Sequence, residues 1–159
     1  MNALALADVV EIRRALPADV PALVACDAHA QAHIARQEAL QAWALAGAIL
    51  LAESGARVRG FVVLEHGLFG HGFIPLLGVA PDARRQGLAL RLLGAAEAAC
   101  RTAKLFTSSN ASNAAARALF ERAGFVRSGT IENLDAGDPE LVYFKAVPEA
   151  ADAPEPRDR

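Results

Sequence analysis

The 159-residue chain is short of lysine, aromatic alcohol and thioether. It has one tryptophan, one tyrosine and one methionine, and only Lys104 and Lys145 among 16 basic residues. That arginine preference reads as genome composition more than as a phosphate grip. Two cysteines, Cys26 and Cys100, are too few for a disulfide framework or a thiolate metal cluster. Both stand among alanines in helical sequence, where buried, reduced thiols are expected. No apolar run approaches the roughly 20 residues that cross a bilayer. The first ten residues include Asp8 and lack the basic leader of a signal peptide. With 18 acidic residues and a net charge of −2, the chain has no basic field for nucleic acid. These absences point to a cytoplasmic protein with neither a membrane nor a nucleic-acid partner, and without a bound metal.

What is present is apolar mass. Hydrophobic residues make up 53% of the chain, enough for one core and too much for global disorder. Val9–Arg14 can open a sheet. Pro17–Asp27 reads as a helix, with Asp19 as cap and Pro21 in the first turn. Gln31–Ala46 is a second helix, stopped by Gly47. Ala48–Glu53 and Val58–Glu65 read as a hairpin. The glycine-rich stretch His66–Gly72 reads as a loop and Phe73–Val79 as a strand. Pro75 in that strand argues for an edge, a bulge or a position whose N–H would face away from its neighbour. Gly87–Arg101 is a helix with Leu88, Leu92, Ala96 and Ala99 on one face. Lys104–Ser109 is a strand, and Asn113–Ala123 a helix with Ala116, Leu119, Phe120 and Ala123 on one face. Phe125–Ile131 and Leu141–Lys145 are the closing strands. Pro148–Arg159 has no core-forming pattern and reads as a disordered tail. The result is one mixed α/β (α+β) domain over residues 1–147, with six to seven mostly antiparallel strands and about four helices.

The most informative stretch is Val79–Leu92, VAPDARRQGLALRL. A strand ends, Arg84, Arg85 and Gln86 form a short loop, and a helix starts at Gly87. The first turn of a helix presents unpaired N–H groups and the positive end of its dipole. Gly87 lets an anion approach the backbone closely, and two arginines add charge. The bland alternative is a tight turn with solvated arginines. Neither GxxxxGK[ST] nor GxGxxG is present, which excludes the P-loop and the dinucleotide fingerprint.

Arg84-Arg85-Gln86-Gly87-Leu88-Ala89 fits the pattern (Q/R)-x-x-G-x-(G/A). About thirty residues on, Asn113 to Phe125 fits N-x-x-A-x-x-L-(Y/F)-x-x-x-G-F through Asn113, Ala116, Leu119, Phe120, Gly124 and Phe125. The two motifs, at this spacing and in this order of elements, resemble the GNAT superfamily of N-acetyltransferases over residues 9–147. The resemblance implies acetyl-coenzyme A as cosubstrate and no metal. It implies that the backbone of Leu77, Gly78 and Val79 binds the pantetheine arm. Arg84, Arg85, Gln86, Gly87, Leu88 and Ala89 would hold the pyrophosphate, and Asn113, Ala116 and Phe120 would lie against the coenzyme. Asn113 suits a helix cap equally well. The implied reaction moves an acetyl group to a primary amine, of a small molecule or a peptide, by direct attack in a ternary complex. Pairing of two copies through an edge strand is also open.

The chain departs from the family at two positions that carry protons. Phe120 stands where many members have the tyrosine that protonates the departing thiolate. Pro75 stands where many have a glutamate that serves as base. Glu65, His66, His71 and Glu132 are the candidate replacements for the base, and Tyr143 for the acid if it is not core. The acidic loop Ile131–Glu140 either attracts a cationic amine or is a solvated turn. These losses also motivate the alternative of a non-catalytic acyl-coenzyme A binding or sensing module.

Overall fold

Two glycines on one pair of strands let neighbouring groups approach closely. A Cβ on Gly60 would lie 2.8 Å from the carbonyl oxygen of Gly78, and a Cβ on Gly78 would lie 2.6 Å from the Phe61 ring. In the computed structural model, which describes residues 9–148, these glycines join the two longest strands. The predicted tail lies almost wholly outside the described residues, as do most of the first ten residues.

The chain runs β1 (Glu11–Arg14), a 3-10 turn (Pro17–Asp19), α1 (Val20–Cys26), α2 (Ala28–Ala32) and α3 (Ile34–Leu45). The hairpin strands β2 (Ile49–Ser54) and β3 (Arg57–Leu68) follow, then β4 (His71–Val79) and α4 (Leu88–Ala99). The last part is β5 (Lys104–Asn110), α5 (Ala114–Arg122), β6 (Val126–Ile131) and β7 (Glu140–Ala146). One seven-stranded sheet has the order β1-β2-β3-β4-β5-β7-β6. Only β4 and β5 run parallel. The expected mixed α/β class and strand number are found, with five α-helices rather than four.

Successive residues of a strand face opposite sides of the sheet. Gly60 meets Leu92 of α4, whereas Glu65 on the same strand accepts a hydrogen bond from Trp43 of α3. Thus α1–α3 cover one face and α4 the other. Lys145 of β7 bridges Glu97 of α4 and the Ala123 carbonyl beyond α5, so α5 shares the α4 face. Leu92, Leu93 and Ala96 bury α4 against Val62 and its neighbours in the core.

Three local readings are corrected, and a fourth is decided between its alternatives. Asp19 does not cap α1 through its side chain. Its carboxylate takes two hydrogen bonds from Arg13, at 2.9 and 3.0 Å, and one from the Leu16 amide. The long second helix is broken at His33, which is extended at φ −132° and stacks on His29. Asp27 caps the short α2 by accepting from the His29 and Ala30 amides. The stretch His66–Gly72 is not a loop: β3 and β4 run through it and turn only at Phe69-Gly70, both at positive φ. Such a two-residue turn matches the strand twist, so the other glycines are not needed for reversal. Pro75 lies in a central strand, at a bulge and not at an edge. Between the pairs Val63–Leu76 and Glu65–Phe73, β3 advances two residues and β4 three.

Arg13 also binds Glu53 of β2, at 2.9 and 3.0 Å, and so ties β1 to its neighbour and to the Pro17–Asp19 turn. Hydrogen bonds from Arg13 hold the Asp19 carboxyl below its ordinary pKa. A lowered folded pKa adds stability that is complete above the unfolded value and is lost as pH falls through the folded one. Asp19→Asn is therefore expected to cost about 1 kcal/mol at pH 7, since solvent screens this half-exposed cluster. Urea melts should show the gap closing below pH ~4.

Candidate active site

β4 and β5 pair only from Gly72–Ile74 to Leu105–Thr107. Beyond those pairs both strands continue, β4 to Val79 and β5 to Asn110, without a ladder between them. Two parallel strands that stop pairing must separate, and the Pro75 bulge marks the start of the separation. Thr107 Oγ1 donates to the Ile74 carbonyl at 3.0 Å, buried, and fixes the apex. The wedge opens into a cleft of about 880 Å³. Its walls are Pro75–Val79, Thr107–Asn110 and the α5 residues Ala116, Leu119 and Phe120, with Asn113 at the helix start. Pairing alternates along β4: Gly78 turns its N–H and C=O to Phe61 of β3, and Leu77 and Val79 turn theirs to the cleft, where Arg84 takes the Val79 carbonyl.

The cleft continues past Arg84 and Ala89 to the start of α4. Arg85 and Gly87 are left-handed, at φ +60° and +76°. Left-handed residues in such a turn point successive N–H groups to one side, forming an anion-binding concavity. Among the described residues none accepts from the amides of Arg85, Gln86 or Gly87. No side chain caps the helix, so the first-turn amides from Leu88 also lack partners. Nothing lies within 4 Å of a Cβ placed on Gly87. Arg84 bonds the Val79 carbonyl, Gln86 bonds the Asp82 carbonyl, and Arg85 and Arg122 border the same hollow. The six residues from Arg84 to Ala89 thus form an open, cationic, amide-lined bowl.

The other sequence candidates fall unevenly around this cleft. Asn113 Oδ1 accepts from the Ala116 amide at 3.1 Å, so the helix-cap role is observed, and its amide nitrogen is left over. Phe120 is buried against Phe125 and Tyr143 and lines the cleft. Tyr143 is fully buried on β7, its ring centroid 5.4 Å from that of Phe120, and its hydroxyl has no partner among the described residues. Glu65, however, is not brought to the cleft. It lines a separate depression, where its carboxylate accepts from the Trp43 indole at 2.6 Å. His66 faces that same depression and accepts from the Arg101 amide. Burial, helped by the Arg101 charge, lowers its pKa and keeps the ring neutral. His71 and Glu132 are not among the cleft residues.

The acidic loop is mostly structural. Asp138 bonds the Ser112 amide and hydroxyl, and Asp135 bonds Asn110, which pins the loop to the β5–α5 junction. Only Glu140 of its carboxylates lines the cleft. Sequence reading missed the residues at the opposite mouth, Asp27, His29 and Arg36, which come from the α1–α3 face. Asp27 had a signal, an acid just before a short Ala-rich helix; Arg36 had none, because its place depends on the break at His33. Cys26 stands beside them, buried, with its thiol pKa raised by that burial. No group of metal-binding side chains forms among the described residues, and no helix there is long and apolar enough to cross a membrane.

Residues 18–125 match the family model of the acetyltransferase (GNAT) family. No curated protein matches the chain in sequence. Among solved structures, a GNAT-family acetyltransferase from Bacillus cereus ATCC 10987 shares 29% identity at a TM-score of 0.81. That match covers 87% of this chain and 97% of the other. The ribosomal-protein-alanine N-acetyltransferase of Brucella melitensis superposes at a TM-score of 0.69 with 24% identity, over 86% and 99% of the two chains. A Salmonella typhimurium protein solved with its cofactor acetyl-CoA superposes at 0.70 with 19% identity, over 92% and 98%. The last two likenesses concern the fold alone. The wedge between β4 and β5, the bowl before α4 and the family match over most of the sheet lead to one conclusion: this chain belongs to the acetyltransferase (GNAT) family.

Proposed function

We propose that the protein transfers an acetyl group from acetyl-CoA to a primary amine by direct attack in a ternary complex. The observation that carries this reading is the row of unpartnered amides from Arg85 to Ala89, opening into the wedge. A diphosphate accepts several charge-assisted hydrogen bonds, and this bowl supplies the donors and guanidinium groups for it. The cleft-facing backbone groups of Leu77 and Val79 suit an amide-bearing arm such as pantetheine, as does the spare amide nitrogen of Asn113. The coenzyme carried by the Salmonella relative supports the choice of ligand.

The acceptor enters from the Asp27–Arg36 mouth and its nitrogen attacks the thioester carbonyl near the apex. A backbone N–H near Val79 stabilises the developing oxyanion. The amine must first lose a proton. An alkylamine with a pKa near 10.4 is ~99.9% protonated at pH 7, a cost of roughly 4–5 kcal/mol. Glu140 is the cleft carboxylate that no ion pair or side-chain hydrogen bond engages among the described residues. The thiol side is easier, because a thiol of pKa about 8.5 leaves readily as its anion. Tyr143 belongs to the core and does not line the cleft, so among the described residues nothing replaces the proton donor lost at Phe120 and the sulfur leaves unprotonated.

Tyr143→Phe should therefore leave kcat within about twofold and keep or slightly raise the melting temperature, since a buried hydroxyl without a hydrogen bond is removed. A loss of tenfold or more in kcat would bring the phenol back into the reaction. The overall reading is tested by acetyl-CoA-dependent thiol release across an amine panel with folded protein. Phe120 lacks a proton donor, which favours a second reading, a coenzyme-sensing module. That reading expects a coenzyme-induced rise in melting temperature with no thiol release from any amine.

A further inference from the structure

We propose that Arg36 selects acceptors that carry a carboxylate, so that the natural substrate is an amino acid or a similar amino-carboxylate. This rests on the transferase reading and adds the acceptor's chemistry to it. Arg36 projects from α3 into the mouth of the cleft opposite the Arg84–Ala89 bowl. Its side chain is 29% exposed. Among the described residues the guanidinium contacts one acid, Asp27 Oδ2, at 3.5 Å, which is too long for a strong hydrogen bond.

Asp27 is itself fixed. Its other oxygen caps α2 by accepting from the His29 and Ala30 amides at 2.9 and 3.3 Å. Oδ2 is buried and accepts no hydrogen bond. Asp27 is thus a positioning residue. It steers the guanidinium toward the cleft but leaves its five N–H donors available. A planar fork with free donors matches a carboxylate in a bidentate contact. Glu140 on the β7 wall of the same cleft provides the opposite charge, suited to the ammonium end of the same molecule. A zwitterion satisfies both walls; a simple alkylamine leaves Arg36 facing only water.

The test compares thiol release for each common amino acid with release for its carboxamide. Carboxamides are the weaker bases, so intrinsic reactivity at neutral pH favours them, and a preference for the free acid must come from binding. For at least one side chain, kcat/KM should favour the carboxylate by tenfold or more. Arg36→Gln should lower that value about tenfold to a hundredfold, through KM, and leave carboxamide turnover and the coenzyme-induced melting shift unchanged. Equal or better turnover of carboxamides by the wild-type protein overturns the inference and points to a peptide N-terminus; the transferase reading then stands. A coenzyme shift without turnover of any acceptor overturns both. The wild-type comparison stands even if the variant fails to fold.

Discussion

Gly87→Val is expected to abolish most coenzyme binding. The argument has two parts of different size. Gly87 sits at φ +76°, where a β-branched side chain costs about 1–2 kcal/mol in backbone strain. That cost falls on stability and should show in a melt without ligand. The second part falls on binding. The space over Gly87 is open, with nothing within 4 Å of a would-be Cβ, so a valine would stand where the diphosphate approaches. Loss of two charge-assisted hydrogen bonds costs about 3 kcal/mol, which is roughly a hundredfold in affinity. Calorimetric titration with coenzyme A measures it. Gly94 of α4 supplies the control, because it too has open space around it but does not have a left-handed backbone. Gly94→Ala should stabilise the helix by up to about 1 kcal/mol and leave affinity alone. Equal affinities for the two variants would remove the bowl from the coenzyme site.

Why the bowl was legible and the acceptor mouth was not follows from how each is built. The bowl is local. A strand end, two arginines, a glycine and a helix start lie within a dozen residues, and each has its own backbone preference. The Asn113 cap is local in the same sense, and the structure shows that bond. The acceptor mouth joins the α1–α2 junction, α3 and β7 across more than a hundred residues of chain. It depends on the break at His33, where a helix-favouring composition gave no warning. Charge misled at the other end of that argument. Asp135 and Asp138 sit close in sequence to Glu140, yet they are consumed by Asn110 and Ser112, and only Glu140 reaches the cleft. Glu65 is a candidate base only from its place at the end of a hairpin strand. Strand order fixes the neighbouring strand but does not say on which face a carboxylate lies or that an indole from α3 takes it.

The wedge itself has a requirement that lies outside it. β4 can diverge from β5 only because β3 holds its other edge, and that edge is closest where Gly60 meets Gly78. Gly60→Ala would place a methyl 2.8 Å from the Gly78 carbonyl oxygen and 3.1 Å from Leu92 Cδ1. Leu92 is fully buried in α4, so any shift of its side chain disturbs the core around it. The Phe61 ring lies close against Gly78, so β4 has little freedom to yield on that side. Overpacking of this kind costs about 2–3 kcal/mol, or roughly 5–10 °C in melting temperature for a domain of this size. Relief by movement of the Gly78 carbonyl would displace the backbone wall of the cleft, so affinity for coenzyme should fall as well as stability. Gly67→Ala, on the same strand with open space around it, should change neither. A Gly60→Ala protein that melts normally but binds coenzyme poorly would locate the strain in β4 alone. One that melts early and binds normally would show that α4 moves instead, and that the wedge does not need the crossing to be this tight.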